Sequence, residues 1–430
     1  MIPFVDIKFW LLAFMLITAY SSISVLLSAY PVRIWLYGSG TRADTPSQGG
    51  TIARNLLMIC MSLLMIMAYS NTLIVLIALI ASVYWTGYKL NALRKERASK
   101  VFLQAIILLV LFYFYFKYLD MQLLLNRTIA DILGMQPSEK VLVLAGLMIF
   151  TLKFIHFLVE CYKKRIKNLD FLTFLNYILF FPSFLGPLTR YNQFAEDINN
   201  PSVSIEYVSA IRRIIEGLFK KVVLYRFLQP YSLTSIGLTY PSLTRTQAIL
   251  GIYACMICFY VDGSGTADMA IGSGKLLGIN LPEGFNYPFF KKNLQQFWAN
   301  WNMSVTLWLY DYIYWPLVGS TRRIQKLRTR PLLSANISII ATFAICGLWH
   351  EDSIRLLIWG LFQGAGLAIF HFYTNFRRNH FSQKWKQNVT PSWYARAAGT
   401  LLTFHFVAFG FLIFCFDLNQ IGRLWRLFLP

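Results

Sequence analysis

Apolar residues fill residues 9–27, 56–69 and 141–159 with few interruptions, and further apolar runs begin near residues 72, 101, 245, 332, 354 and 398. A helix needs about 20 mostly apolar residues to cross a hydrocarbon core. The pattern therefore predicts an all-α, polytopic membrane protein with roughly nine to eleven transmembrane or re-entrant helices. No linker rich in Pro, Gly or Ser divides the chain and no internal repeat is visible, so a single membrane domain over residues 1–430 is the simplest account. The pattern changes character along that domain. Residues 1–165 carry long runs poor in polar groups, as expected of helices that mainly face lipid. In residues 166–373, Gly, Pro, Asn, Asp and aromatics mix into the apolar runs, and at membrane depth each unpaired polar group costs several kcal/mol unless protein or a water-filled cavity receives it. The functional site is expected there. Residues 374–430 read as a loop and a closing helix.

Composition adds direction to this picture. Only 14% of residues are charged, yet the net charge is +21, a balance that raises the question of nucleic acid. The basic residues sit instead in short clusters between apolar runs: Arg94, Lys95, Arg97 and Lys100; Lys163, Lys164, Arg165 and Lys167; and Arg322, Arg323, Lys326, Arg328 and Arg330. Clusters in that position mark cytoplasmic loops, and no nucleic-acid motif accompanies them, so a bilayer and not a nucleic acid is the expected partner. The first run lacks a clustered basic lead-in and a small-residue cleavage site, so it is expected to stay attached as the first helix. Residues 209–227 set Arg212, Arg213, Lys220, Lys221 and Arg226 among Ile, Leu and Val at helical spacing, which suits an interfacial helix or the solvated edge of a membrane helix. The six cysteines are scattered and five lie within apolar runs, so neither a disulfide framework nor a metal site is expected; Cys255 and Cys258 read as packing.

Five histidines limit the candidates for proton transfer. His156 and His405 each sit alone in an apolar helix and read as structural, while His371 and His380 lie beside Arg377 and Arg378 at a membrane boundary. His350 differs. It ends the apolar run 339–349 and precedes Glu351 and Asp352, and the run 354–370 then returns, which makes it the tip of a helical hairpin or, if the helices are tilted or broken, places it deeper, near the core. Imidazole ordinarily exchanges its proton at about pH 6.5, so His350 is suited to accept a proton from an attacking hydroxyl, with a histidine that merely satisfies a helix end as the alternative. Glu351 would raise that value by pairing with the imidazole, or would face water.

Two other stretches concentrate polar and aromatic groups. Phe297-Trp298-Ala299-Asn300-Trp301-Asn302-Met303-Ser304 reads as an interfacial aromatic belt, or as part of a site in which Asn302 orients the histidine or donates to an oxyanion. Asp262-Gly263-Ser264-Gly265-Thr266-Ala267-Asp268 places two carboxylates six residues apart among small residues, as in helices packed round a polar interior or in a polar loop between spans. It lacks the spacing of a phosphate loop.

In chain order, Phe180-Phe181-Pro182 with Gly186-Pro187 and Arg190-Tyr191, Gly217-Leu218-Phe219-Lys220-Lys221, the Asp262 to Asp268 stretch, Leu281-Pro282-Glu283 with Phe285-Asn286, Phe297-Trp298 with Trp301, and Gly347-Leu348-Trp349-His350 together resemble the membrane-bound O-acyltransferase (MBOAT) family, in its bacterial branch of alginate O-acetylation and teichoic-acid D-alanylation proteins. The resemblance implies helices around a central cavity, in a protein of the bacterial cytoplasmic membrane. It implies His350 as the essential histidine; Asn302 would act beside it in catalysis, and Asp262, Ser264, Asp268, Trp298, Trp301, Arg190 and Glu351 would stand about the substrate cavity. It also implies no permanently bound cofactor. The donor would be an acyl thioester, acetyl-coenzyme A or the phosphopantetheine of an acyl carrier protein, arriving from the cytoplasm. The acceptor would be a hydroxyl of an envelope polysaccharide, reached through an extracytoplasmic transferase or a small membrane partner. Asp311-Tyr312-Ile313-Tyr314-Trp315-Pro316-Leu317 and Gly347-Leu348-Trp349-His350 look closer to the alginate-acetylation type than to the D-alanylation type, so the resemblance implies acetyl before D-alanyl transfer. Two departures qualify the match: Asn302 stands where those relatives carry a second histidine, and Glu351 where they carry glycine. A transporter or flippase for an envelope precursor is the alternative from another class, since it too has broken polar helices.

Overall fold

The structure is a computed structural model that describes residues 10–20, 48–69, 73–118, 142–184, 186–199, 206–237, 243–350, 353–381 and 392–428. The chain start and Glu351, both subjects of expectations above, lie outside these residues. Every regular element among the described residues is helical. In chain order the longer ones are α1 (Trp10–Tyr20), α2 (Gln48–Tyr69), α3 (Leu73–Ala92), α4 (Lys95–Tyr118), α5 (Leu142–Tyr162), α6 (Phe171–Leu179), α7 (Tyr191–Asn199), α8 (Tyr207–Leu218), α9 (Arg245–Leu276), α10 (Leu294–Trp298), α11 (Met303–Leu309), α12 (Trp315–Thr321), α13 (Pro331–His350), α14 (Ile354–His380), α15 (Trp393–Cys415) and α16 (Leu418–Arg426).

Five of the described helices are long and apolar enough to cross a membrane: α4 over Lys95–Phe114, α9, α13, α14 and α15. The chain is thus an all-α, multi-pass membrane protein, as the apolar pattern predicts. The helix boundaries follow local chemistry. Asp170, Asn293, Ser353 and Ser392 each accept a backbone N–H in the first turn of α6, α10, α14 and α15 respectively, and Asp417 with Gln420 forms a capping box on α16. Pro331 opens α13, a position where its missing N–H costs nothing.

The chain divides into two compact units. One comprises residues 2–216 and 266–282, the other residues 217–265 and 283–430, so that α9 contributes to both. The first unit is organised about buried polar anchors. Lys153, fully enclosed in α5, donates to the carbonyls of Tyr177 (2.8 Å) and Ile178 (3.2 Å) and to the Ser183 hydroxyl (2.6 Å). It thereby satisfies the C-terminal carbonyls of α6, whose orphan acceptors and negative dipole end favour a cation. His156, also in α5, accepts the Tyr191 N–H at 2.9 Å and so has the structural role expected of it.

In the second unit α13 and α14 pack backbone to backbone. A Cβ on Gly347 would meet the Leu356 carbonyl, one on Gly360 the Phe343 carbonyl, and one on Gly364 would lie 2.8 Å from the Ile340 Cα. Small residues are what permit membrane helices to approach this closely. Gly360→Val is expected to force the pair apart and to cost about 1–3 kcal/mol or more, since the obstacle is backbone that cannot rotate away. Thermal unfolding of the detergent-solubilised protein, followed by gel filtration, measures this.

Candidate functional site

The hairpin expected at His350 is present: His350 is the last residue of α13, and α14 begins at Ile354 with Ser353 as its cap. Its imidazole stands nearly perpendicular to two aromatic rings, Trp359 of α14 at 5.9 Å and 88°, and Phe414 of α15 at 5.5 Å and 82°. Those two rings meet each other at 5.2 Å, closing a triangle. Perpendicular ring contacts of this kind restrain the plane of a ring. The residue as a whole remains exposed, so the histidine is held in direction yet reachable.

The aromatic network continues from this triangle. Trp298 packs on Trp359 at 5.9 Å and on Phe343 at 5.1 Å, and its indole N–H is buried with no partner among the described residues. Trp301 is only 7% exposed and lies in a core with Phe297, Leu367, Val407 and Phe411, while Trp308 is 1% exposed and meets Trp349 at 5.7 Å. Trp301 and Trp308 are therefore core, and the reading of this stretch as an interfacial belt is corrected. The reason is tertiary: α10, α14 and α15 enclose rings that local sequence leaves equally free to face an interface.

Asn302 sits at the head of α11 with φ +41°, one of three non-glycine residues with positive φ among the described residues. Asparagine tolerates this left-handed conformation better than most residues, which is a structural reason for its presence at the turn. Its carbonyl receives the Thr306 N–H at 2.9 Å, and its side chain makes no capping hydrogen bond. The amide is thus not consumed by the helix it heads, and α11 leads directly to the Trp308–Trp349 contact beside His350.

The Asp262–Asp268 stretch lies inside α9 and is not a loop between spans. Asp262 pairs with Lys221, both being largely buried, and the Ser264 hydroxyl donates to the Val261 carbonyl at 3.4 Å. Gly265 allows the approach, because a Cβ there would lie 2.9 Å from the Gly217 carbonyl. Burial raises the Tyr225 phenol, and the nearby Asp262 charge adds to that shift. Asp268 pairs with Arg213 at 2.7 Å. Lys221 belongs to a π-helical stretch, Phe219–Leu224, a local widening that recurs at functional sites.

His350, Asn302, Trp298, Trp301, Asp262 and Ser264 fall in one unit, whereas Asp268 and Arg190 fall in the other. Arg190 is half-buried at the head of α7, where its carbonyl accepts the Phe194 N–H at 3.0 Å. Sequence reasoning missed Lys221 and Arg213 as partners of the two carboxylates. The signal was their helical spacing, which had suggested only an interfacial or solvated edge. It also missed Phe414, Trp359 and Arg355, the last an arginine in the first turn after the hairpin tip. Of the other histidines, His371 meets the Asn336 side chain at 3.2 Å, while His380 and His405 meet backbone carbonyls of Phe376 (3.0 Å) and Leu401 (2.7 Å).

Residues 58–413 match the membrane-bound O-acyltransferase family. Among characterised sequences the chain is similar to the teichoic acid D-alanyltransferase of Bacillus subtilis, 28% identical over 65% of this chain and 70% of that protein. It is similar to the probable alginate O-acetylase AlgI of Azotobacter vinelandii, 28% identical over 66% of this chain and 57% of that protein. It is also similar to the peptidoglycan O-acetyltransferase of Helicobacter pylori, 29% identical over 57% of this chain and 44% of that protein. The matched region is thus little more than half the length of the alginate relative and less than half that of the peptidoglycan relative.

Lys221→Met is expected to leave the Asp262 carboxylate buried without its cation and to cost about 3–5 kcal/mol, while Lys221→Met with Asp262→Leu recovers most of that loss. Comparison of the two variants' thermal stability in detergent measures the difference.

Proposed function

The chain belongs to the membrane-bound O-acyltransferase family, and from that premise we propose that it is an enzyme of the bacterial cytoplasmic membrane that moves an acyl group, chiefly acetyl, from a cytoplasmic thioester to a hydroxyl of an extracytoplasmic envelope polysaccharide or of a relay partner. The observation that carries this reading is His350 itself: an exposed histidine at the end of an apolar span, held in direction by two perpendicular aromatic rings. In the proposed step the acceptor hydroxyl gives its proton to His350 as its oxygen attacks the thioester carbonyl. The Asn302 amide donates to the resulting oxyanion, and collapse expels the thiolate and leaves an ester. Within the unit that holds His350, Asp262 with Lys221, Ser264 and Trp298 would shape the cavity. The donor would be acetyl-coenzyme A or a carrier-protein phosphopantetheine thioester, a substrate and not a resident cofactor. An extracytoplasmic transferase or a small membrane partner would complete the relay.

D-alanyl transfer from a carrier protein is the second reading. It is chemically the same step, and it is favoured by the likeness to the Bacillus D-alanyltransferase, of which the matched region covers 70%. The transporter reading is the weaker one, since the chain belongs to an acyltransferase family and both carboxylates within α9 are ion-paired.

Mass spectrometry of envelope polymers from cells with and without the protein distinguishes acetyl esters from alanyl esters. Unchanged acylation in cells lacking the protein would end both readings. His350→Ala is expected to fold and reach the membrane but to lose at least about 100-fold in acylated product. Asn302→Gly keeps the positive-φ turn while deleting the amide, and is expected to lower turnover by about 10²–10³-fold with stability little changed. Full activity in Asn302→Gly would remove the amide from the oxyanion role.

A further inference from the structure

His350 is held by two rings of different origin. Trp359 comes from α14, which is locked to α13 through Gly347, Gly360 and Gly364, so its placement follows from the hairpin itself. Phe414 comes from α15, which reaches the hairpin from a distant part of the chain, and its ring needs an anchor of its own. That anchor is visible in the hydrogen bonding at the end of α15. A helix terminus leaves its last carbonyls without intrahelical partners. Here Phe416 N–H closes back on the Leu412 carbonyl at 3.1 Å, which leaves the next two in order, Ile413 and Phe414. Arg355 Nη1 donates to the Phe414 carbonyl and lies 3.5 Å from that of Ile413. The Arg355 backbone is fixed in turn by the Ser353 cap at 3.2 Å.

We propose that Arg355 is a positioning residue for the acyl-transfer reaction, holding the Phe414 ring against His350 by clamping the C-terminal carbonyls of α15. The proposal rests on the reading of His350 as the proton acceptor. A guanidinium is well matched to such a clamp, since it is always charged, offers donors in a rigid planar fork, and sits here at the negative end of the helix dipole. The clamp acts on backbone, so it fixes where residue 414 lies, and the aromatic side chain at that position then fixes the imidazole plane. Loss of either part has the same consequence for His350, and this coupling separates positioning from an independent structural or anion-binding role.

The experiment uses the whole chain in nanodiscs. Carbethoxylation of His350 by diethylpyrocarbonate is followed by peptide mass spectrometry across the pH range in which imidazoles titrate. Arg355→Met and Phe414→Leu are each expected to change the His350 modification rate by about threefold or more in the same direction, and the double variant to change it no further than either single one. Arg355→Lys, which keeps the charge and one donor direction, is expected to fall between the wild type and Arg355→Met, and serves alone if Arg355→Met does not yield folded protein. Envelope acylation in complemented cells is expected to fall about tenfold in Arg355→Met and in Phe414→Leu, again without adding in the double variant. Multiplying effects in the double variant, or an unchanged His350 modification profile in Arg355→Met or Arg355→Lys, would overturn the proposal. His350→Ala run in parallel keeps the two claims apart. Retained acylation there defeats the role of His350, whereas lost acylation together with independent Arg355 and Phe414 effects defeats only the clamp.

Discussion

Gly347, Gly360 and Gly364 let α13 and α14 meet backbone to backbone, and the position of His350 follows from that contact. In a bilayer there is little hydrophobic gain from bringing two apolar helices together, because lipid tails are as apolar as leucine side chains. What remains is close packing, and a missing Cβ at each crossing point lets the two backbones share dispersion contacts along the hairpin. An imidazole at the tip of so rigid a pair has a fixed origin. Trp359 then lies beside it by construction, and Phe414 completes the triangle.

Polar groups elsewhere obey the companion constraint that nothing charged stays unpaired at membrane depth. α9 carries two carboxylates, and each has a cation: Lys221 for Asp262 and Arg213 for Asp268. Glycines at 265 and 272 bring the partner backbones near enough for these pairs to form. Lys153 solves the same problem for a helix end, converting a buried ammonium into the cap of α6. Arg355 does so at the end of α15, donating to carbonyls that include that of Phe414, whose ring meets His350.

Much of this was legible in the chain. Apolar run lengths announced a multi-pass helical membrane protein, the change in texture after residue 165 pointed to the half that holds His350, and the break between two apolar runs marked the hairpin. Ordered motifs tied these features to one family. Other readings failed for physical reasons. Tryptophan is equally at home in an interface and in a core, so the stretch containing Trp298, Trp301 and Trp308 admitted either until α14 and α15 packed round Trp301 and Trp349 met Trp308. The basic residues of 209–227 have the periodicity of an amphipathic helix whether their outer neighbour is water or a carboxylate. Asn302 drew notice as a candidate oxyanion donor, yet its left-handed backbone supplies a second reason for an asparagine at that place.

Residue order was enough to establish that the chain lives in a bilayer, that its apolar runs are helical wherever the structure describes them, and that one histidine stands at the end of a span. These follow from composition and period, which are local and cumulative, and from motifs that survive in order. Folding was needed to settle which cation meets which carboxylate, which rings face the imidazole, and that an arginine beside the hairpin caps a helix some sixty residues away. Contacts of that kind join residues far apart in the chain and leave no period behind, so only the folded backbone brings them into view.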